Sequence, residues 1–335
     1  MDTLTGQVPT PSSRAIAIGG SEGSIPVLKK ILGGLPSDFP APVFVVVHVG
    51  ARGSGLLADV CSGSSVLPVK TAVEGMPVLP GEIYVAPDDH HLLVMEGSLR
   101  LGRGPRENFV RPAMDPLFRS VALSYGPGAI GIVLSGNLND GTAGLNAIKR
   151  CNGLTVVQNP TDSQVSEMPM GALEATDVDY RCNGSDMAEL LMRLVISPVP
   201  EIFARPSDIE LEVDIALGRP CVTSTVVQIG TPSVLSCPAC GGVLSEMAGL
   251  PLRYRCQVGH AFTAKCMAST QEGSLDEALR VALRIVEERA NLSERMAKEA
   301  NEAGRHRMCE DFNIRAKDLR ANAEILRSAA LGRHL

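Results

Sequence analysis

Three residues whose types together perform nucleophilic catalysis lie far apart in this sequence. Ser21 follows the run AIAIGG, His48 follows VFVVV, and Asp140 lies within SGNLNDGTAG. A serine hydroxyl becomes a useful nucleophile when an imidazole takes its proton, and the resulting imidazolium needs an anion behind it. If the fold brings these three side chains together, they can act as a nucleophile, a general base and an orienting carboxylate.

Short apolar runs place Ser21 and His48 at the ends of predicted strands. Residues 15–18 and 43–47 are brief and rich in β-branched side chains, which is typical of buried parallel strands. Apolar residues return at helical spacing from Ile25, so Ser21 lies between a strand and a helix N-terminus. On this stretch alone, an N-cap serine on a phosphate-binding glycine loop is an alternative to a nucleophile.

Residues 14–196 continue as an alternating series of strand-like and helix-like segments, interrupted by a predicted antiparallel hairpin over 80–103. The series predicts an α/β domain with a doubly wound, mainly parallel, Rossmann-like sheet. Ligands bind such sheets at the carboxyl ends of the strands, where Ser21, His48 and Asp140 would meet. Taken singly, the histidine could be a buried structural residue and the aspartate a turn residue; their shared placement favours a site.

The composition of the chain limits its possible domain number, binding partners and cellular location. The 335 residues, 44% hydrophobic and 20% charged, fit about two globular domains. A net charge of −6 argues against general binding to nucleic acid, which needs clustered positive charge. No apolar run approaches the roughly 20 residues that a membrane-spanning helix needs. Residues 1–13 have no basic start and no apolar stretch, which predicts a disordered lead-in. Nine cysteines with one C-x-x-C do not form a disulfide framework, so we expect a cytoplasmic protein with no membrane insertion.

Residues 14 to about 196 resemble the catalytic domain of the CheB-type chemotaxis protein-glutamate methylesterases. The matching motifs, in the family's order, are AIAIGGSEGS, VFVVVHV, PGEIYVAPDDHHLLV, GPRENFVRPAMDPLFRSVA, GIVLSGNLNDGTAG, VVQNPTDSQVSEMPMGALE and DYRCNGSDMAELL. The resemblance implies a serine esterase that needs no cofactor for catalysis. It would release methanol from γ-glutamyl methyl esters on chemoreceptors or related signalling receptors, and would also deamidate glutamines there.

Carried over by motif, Ser21 is the nucleophile, His48 the general base and Asp140 the residue that orients His48. Backbone N–H groups of Glu22 and Asn137 would line the oxyanion hole. The resemblance also places one arginine cluster near the site, where it could steer an acidic receptor helix, although a solvated surface loop is the alternative. This cluster comprises Arg100, Arg103, Arg106 and Arg111.

Two departures from the family pattern fall beside these residues. The usual Ser-Thr-Gly-Gly is Ser21-Glu22-Gly23-Ser24 here, and the usual Met-Gly is Asn137-Leu138. A carboxylate at 22 suits a helix N-terminus but would oppose a developing oxyanion if it pointed inward. A non-catalytic signalling adaptor on the same fold, binding partners through its C-terminal part, is therefore a second hypothesis. An esterase or amidase for an unrelated small substrate is a third.

A candidate metal site lies in residues 237–267. The segments SCPACGGVL and RYRCQVGHAF supply Cys237, Cys240, Cys256 and His260. Two thiolates from one knuckle and a second pair about 16 residues later are close to the spacing of a zinc ribbon, with Cys266 as an alternative to His260. Four protein ligands would make the zinc structural. A redox pair of Cys237 and Cys240 is the other interpretation.

The remaining C-terminal segments predict a linker and a helical hairpin. Residues 197–236 begin with a proline-rich break, and ELEVDIAL within them indicates a strand or strand–helix piece in an otherwise linking segment. A capping box at 274–277 opens an amphipathic run, and Gly304 separates it from a second run, which predicts a hairpin over 274–331.

Regulation is expected to come from a partner. About 13 residues precede the first strand, too few for the receiver domain that family members commonly carry. We therefore expect a response regulator or kinase to act in trans. The hairpin would set receptor targeting or homodimerisation.

Overall fold

The computed structural model describes residues 12–49, 54–200 and 205–331. The predicted lead-in therefore lies almost entirely outside the described residues. The chain divides into two compact units, Met1–Cys266 and Met267–Leu335. Within the described residues, no helix combines the length and the apolar character that crossing a membrane requires.

The first 200 residues alternate strands and helices as predicted. The strands are β1 (Ala15–Gly20), β2 (Val43–Val47), β3 (Val69–Thr71), β4 (Ile83–Val85), β5 (His91–Met95), β6 (Ser98–Gly102), β7 (Ala129–Val133), β8 (Leu154–Gln158) and β9 (Tyr180–Cys182). The helices are α1 (Ser24–Gly33), α2 (Ser54–Ser62), α3 (Met114–Tyr125), α4 (Thr142–Arg150), α5 (Glu167–Ala175) and α6 (Met187–Val195).

The main sheet is parallel throughout, with strand order β3-β4-β2-β1-β7-β8-β9. This confirms the prediction of a doubly wound α/β domain. The chain proceeds from β1 to one side and later returns through β7 on the other, so the order reverses at β1. Ligands of doubly wound sheets bind in the crevice at this reversal. The antiparallel hairpin β5-β6 forms a separate two-stranded sheet and does not extend an edge of the main one.

Apolar layers cover both faces of the main sheet. Ala15 and Ala17 of β1 belong to the core that contains Phe118 of α3. Ile16 and Ile18 alternate with them and belong to the opposite core. Because β1 is buried on both faces, its sequence is a continuous apolar run, and only its end can offer a polar side chain.

Residues 207–229 differ from the prediction of a linker with a short β segment. They form α7 (Ser207–Leu217) and α8 (Thr223–Ile229), and ELEVDIAL lies within α7. The strand interpretation was wrong because Ile209, Val213 and Ala216 follow helical spacing and pack into the main core. Glu212, on the same face, is also fully buried, which masks the apolar period in the sequence.

An antiparallel four-stranded sheet follows and contains the candidate metal ligands. Its strands, in sheet order, are β10 (Gly230–Ser236), β11 (Val243–Met247), β12 (Arg253–Cys256) and β13 (Ala261–Thr263). The ribbon-like module thus begins at β10, earlier than the predicted boundary at residue 237. We call these four strands the ribbon sheet.

A buried ion cluster fastens the ribbon sheet to α3 and α7. Glu212 accepts hydrogen bonds from Arg119, Arg253 and Arg255, the last at 2.7 Å. Arg255 also donates to Glu107 at 3.0 Å, and Arg119 pairs with the same carboxylate. Burial favours the neutral form of Glu212, but the arginines outweigh it and hold the pKa well below its usual range. Removing one member of such a cluster costs about 3–5 kcal/mol, because the other charges stay buried.

The C-terminal helices are α9 (Ala264–Glu302) and α10 (His306–Ala330). Arg320 donates to Glu294 at 3.0 Å, and the turn between the helices includes Gly304 at φ +71°, as the predicted break requires. The predicted helix start at Ser274 is wrong, because α9 already begins at Ala264. The Ser274 hydroxyl donates to the Thr270 carbonyl within the helix, a bond that a serine makes in a helix interior as readily as it makes a cap.

Candidate active site

Ser21 is the first residue after β1, in a turn that leads directly into α1. Its N–H donates to the Ser135 carbonyl at 2.9 Å, which ties the turn to the segment after β7. Gly23 adopts φ +77°, and a Cβ there would lie 2.7 Å from Ser135 Oγ. The turn therefore needs glycine at this position. Ser21 itself is half-buried at the carboxyl edge of the sheet.

Ser135 fastens this turn from beneath, a role that sequence reasoning missed. Its buried hydroxyl donates to the Glu22 carbonyl at 2.8 Å and accepts from the Val165 N–H at 2.9 Å. The segments that follow β1, β7 and β8 are thus joined at one hydroxyl. This bonding holds the backbone beside Ser21 in place.

His48 is the first residue after β2 and lies beside Ser21. The β1–β2 register pairs Gly20 with Val47, and the His48 N–H donates to the Gly20 carbonyl at 3.0 Å. The ring atom Nε2 lies 3.1 Å from Asp140 Oδ2, within ion-pair distance. Since Nε2 faces the carboxylate, Nδ1 is the nitrogen available to a proton from elsewhere.

Asp140 is 3% exposed and held by several donors. Asn108 Nδ2 donates to its Oδ1 at 3.0 Å, and the Met114 N–H at the start of α3 donates to its Oδ2 at 2.7 Å. Burial alone would raise the pKa of this carboxyl, but the contacts with His48, Met114 and Asn108 outweigh burial and lower it. Asp140 is therefore a fixed carboxylate behind the imidazole.

Asp115 is a second buried carboxyl near Asp140. It directly follows Met114 at the start of α3. Its Oδ1 accepts from the Gly144 N–H at 2.6 Å. Burial and the nearby Asp140 charge raise its pKa well above the usual range. The two environments push the pKa values of the carboxyls apart, so the negative charge belongs to Asp140.

The predicted oxyanion-hole donors are the backbone N–H groups of Glu22 and Asn137. Within the described residues, neither N–H donates to another group of the chain. The two family departures also contact each other, because Asn137 Nδ2 donates to Glu22 Oε2 at 2.6 Å. The Glu22 carboxylate is thereby held on an exposed side-chain amide.

A cavity of about 400 Å³ opens beside His48. Arg106 and Arg111 both line it, together with apolar residues that include Val47 and Phe109. Arg111 is fixed by Asp89, to which its Nη2 donates at 2.7 Å. The cavity therefore combines an apolar wall with two arginines, whose charge is balanced by Asp88 and Asp89 on the same wall.

The other two arginines of the predicted cluster, Arg100 and Arg103, contact residues outside the cavity beside His48. Arg100 on β6 pairs with Glu74 at 3.0 Å, and Arg103 Nε donates to His90 Nε2 at 3.0 Å. Neither lines the cavity beside His48. The structure thus brings two of the four arginines to the candidate site.

The Cys and His side chains of the ribbon sheet converge on one point. The candidate ligand atoms of Cys237, Cys240, Cys256 and His260 all lie within 4.8 Å of one another. Cys240 Sγ is 3.7 Å from Cys256 Sγ, and Cys256 Sγ is 3.5 Å from His260 Nδ1. Three soft thiol groups and an imidazole form a donor set that suits a tetrahedral zinc ion. Cys266 is not a member of this group.

A serine, an imidazole and a buried carboxylate at the reversal point of a doubly wound sheet are the arrangement of an α/β serine hydrolase. The sequence agrees with this class: residues 16–191 match the family described as CheB methylesterase, which covers about half of the chain. The chain therefore belongs to the CheB methylesterase family.

Similar proteins carry the same description. A putative protein-glutamate methylesterase/protein-glutamine glutaminase of Leptospira interrogans (strain Fiocruz L1-130) is 40% identical over 185 residues, 54% of this chain and 94% of its own length. Protein-glutamate methylesterase/protein-glutamine glutaminase 1 of Syntrophus aciditrophicus is 35% identical over 192 residues, 57% of this chain and 55% of its own. The chain thus spans about half of that longer relative.

A solved structure agrees in fold. The crystal structure of the Thermotoga maritima CheB methylesterase catalytic domain aligns with a TM-score of 0.52 and 32% identity. The alignment covers 54% of this chain and 98% of that domain. The family match ends at residue 191, before α7 and the ribbon sheet begin.

Proposed function

We propose that this protein hydrolyses γ-glutamyl methyl esters on chemoreceptors or related signalling receptors, and that it deamidates receptor glutamines at the same site. Membership of the CheB methylesterase family and the names of its relatives support the reaction and the substrate class. The observation that carries the proposal is the Asp140 carboxylate 3.1 Å from His48 Nε2, with Ser21 at the end of the neighbouring strand.

The reaction follows from the roles of these groups. Ser21 Oγ attacks the ester carbonyl carbon while His48 Nδ1 takes the hydroxyl proton, and the Glu22 and Asn137 N–H groups bind the developing oxyanion. The carbon–oxygen bond to the methoxy group then breaks, and His48 passes its proton to the departing methanol. Water attacks the acyl-enzyme in the same way, which releases the γ-carboxylate and restores Ser21. With a glutamine substrate, ammonia leaves in place of methanol.

One exposed arginine on the cavity wall supports an acidic substrate. Arg106 is exposed there, whereas Arg111 is already paired with Asp89. A receptor helix rich in glutamates would be attracted to this edge, with an attraction that weakens as salt screens the charges.

We assign the reaction to the cytoplasm.

Methanol release tests the proposed function directly. The full chain, incubated with a methylated receptor, is expected to release methanol, and Ser21→Ala is the matched control because it removes only the nucleophilic oxygen. Equal methanol release by the two proteins would contradict the proposal.

Glu22→Gln is expected to raise kcat about 2- to 5-fold, since it removes a negative charge beside the developing oxyanion at a solvent-exposed position. The glutamine carbonyl can still accept the Asn137 hydrogen bond, so the turn keeps its geometry. Glu174→Gln, which neutralises an exposed carboxylate on α5, is the control and should leave kcat unchanged. A lower kcat for Glu22→Gln would show that the carboxylate itself assists the reaction.

We also propose that Cys237, Cys240, Cys256 and His260 hold one structural zinc ion. The convergence of their ligand atoms supports the site, and four protein ligands leave no position for a substrate. The ion would supply cross-linking of the two knuckles and no catalytic chemistry, while Ser21 and its partners carry out the hydrolysis.

Metal analysis of protein purified without chelator under reducing conditions should find about one zinc per chain, as a closed four-ligand site predicts. Cys237→Ser should lose the metal and speed hydrogen exchange across residues 230–263, because zinc binding supplies folding free energy to such modules. Cys309→Ser, in α10, should keep both properties. A zinc-free wild-type protein would defeat the proposal.

The C-terminal hairpin is our proposed surface for receptor targeting or homodimerisation. Its helix α9 exposes a series of apolar side chains, namely Leu275, Val281, Ile285 and Leu292. A response regulator or kinase acting in trans would provide control. The oligomeric state of the full chain in solution tests the homodimer.

A further inference from the structure

Strand β13 of the ribbon sheet lies against the loop that supports Asp140. Glu107 forms a parallel bridge with Ala261, and the Asn108 N–H donates to the Ala261 carbonyl at 2.8 Å. The ring of Phe109 packs on Phe262 with centroids 4.6 Å apart. Three consecutive loop residues are therefore held by two consecutive residues of β13.

The loop needs such support because its backbone is unfavourable. Asn108 and Phe109 have φ values of +50° and +66°, in the left-handed region that residues other than glycine rarely adopt. Such conformations persist only where the surrounding structure fixes them. Here β13 contributes that structure, with the Arg255–Glu107 ion pair at the start of the loop.

Thr263, the last residue of β13, sets the direction of the Asn108 amide. Its N–H donates to Asn108 Oδ1 at 3.0 Å, so Asn108 Nδ2 faces Asp140 Oδ1, also at 3.0 Å. If the amide rotated by half a turn, its oxygen would face the carboxylate and its NH₂ would face the Thr263 N–H. Both contacts would be repulsive in a buried setting. The Asn108 amide therefore stays directed at Asp140.

A second contact runs from the same threonine to the residue before Asp140. Thr263 Oγ1 donates to Asn139 Oδ1 at 2.5 Å, and both side chains are buried. The side chain of Asn139, the residue before Asp140, is thus held by the Thr263 hydroxyl, and the Asp140 carboxylate is held through Asn108. Both contacts originate at Thr263.

We propose that β13 is a positioning element of the active site, in which Thr263 fixes Asp140 through Asn108 and Asn139. Thr263, Asn108 and Asn139 need not touch the substrate to have this effect. The inference rests on the proposed triad, and it assigns a catalytic support to a part of the chain outside the 16–191 family match. The ribbon sheet would then set the activity of the domain that precedes it.

The test uses the full chain and the rate at which a fluorophosphonate probe labels Ser21, a reaction that needs an activated serine but no receptor. Thr263→Val should slow labelling about 10-fold by leaving the buried Asn139 oxygen unpaired, and Asn108→Ala should slow it about 10- to 100-fold. Thr263→Ser keeps the hydroxyl and should restore most of the rate. Thr176→Val is the matched control, because it removes a buried hydroxyl that has no hydrogen-bond partner within the described residues.

A double-mutant cycle separates positioning from loss of stability. If Thr263 acts through Asp140, Thr263→Val should cost little further rate in an Asp140→Asn background. The same fold loss in both backgrounds, or unchanged labelling of Thr263→Val, would overturn the inference. Failure of the wild-type protein to label would also overturn it. Labelling that follows the expected order without methanol release would support the inference and reject the proposed substrate.

Discussion

Ser21→Ala is expected to lower kcat for methanol release by about 10⁶-fold, because the acyl-enzyme route is lost when the attacking oxygen is removed. His48→Ala should cost a similar factor, since an unassisted serine hydroxyl keeps its proton at neutral pH. Steady-state methanol release from a methylated receptor measures both. KM should change little for Ser21→Ala, because Ser21 is not among the residues that line the cavity beside His48.

The double variant makes the prediction specific to a shared mechanism. Ser21→Ala combined with His48→Ala should be little slower than either alone, because the two groups act as one unit. Ser185→Ala, which removes an exposed hydroxyl far along the chain, should leave the rate unchanged. Losses that add in log rate would show that the two residues act in separate steps.

The sequence indicates the ends of β1 and β2 because a buried parallel strand must be apolar along its whole length. Where such a run stops at a polar residue, that residue reaches the carboxyl edge of the sheet, and Ser21 and His48 are both found there. The fold class was predictable for the same reason. Local pattern was sufficient for the central strands β1, β2 and β7, because all of their residues are buried and apolar or glycine.

The support around Asp140 was not predictable from pattern. Asn108 lies within a motif that carries the family resemblance, but its partner Thr263 is 155 residues away and belongs to another sheet. Nothing in the composition of either segment indicates this contact, which tertiary packing creates. Ser135 was missed for a similar reason, since a serine after a strand is common in turns.

A buried charge in α7 explains why its sequence pattern predicts a strand. Glu212 occupies a core position, where a carboxylate is tolerated because three arginines from other elements surround it. Read alone, the alternation of acidic and apolar residues in ELEVDIAL is consistent with a strand. The cysteine and histidine spacing placed four candidate ligands that the structure brings together, because each knuckle is local, although it left Cys266 open as an alternative to His260.

Asp140→Asn is expected to lower kcat by about 10⁴-fold while KM stays within a few fold of wild type. The carboxylate accepts from Asn108 at Oδ1 and from Met114 at Oδ2, where it also faces His48. An asparagine has one acceptor oxygen for these two positions. With its NH₂ at the Oδ2 position, it would donate to His48 Nε2 and leave the proton on Nδ1, the nitrogen that must accept one.

The opposite orientation of the new amide also costs rate. Its NH₂ would then face the NH₂ of Asn108, and the imidazolium would lack the negative charge that stabilises it. Asp115→Asn is the matched control, because the pKa of Asp115 is raised whereas that of Asp140 is lowered, and an amide can still accept from the Gly144 N–H. We expect that variant to lose less than about 10-fold, the cost of one perturbed hydrogen bond. Equal losses for the two variants would mean that the buried group as a whole, and not the Asp140 charge, supports His48.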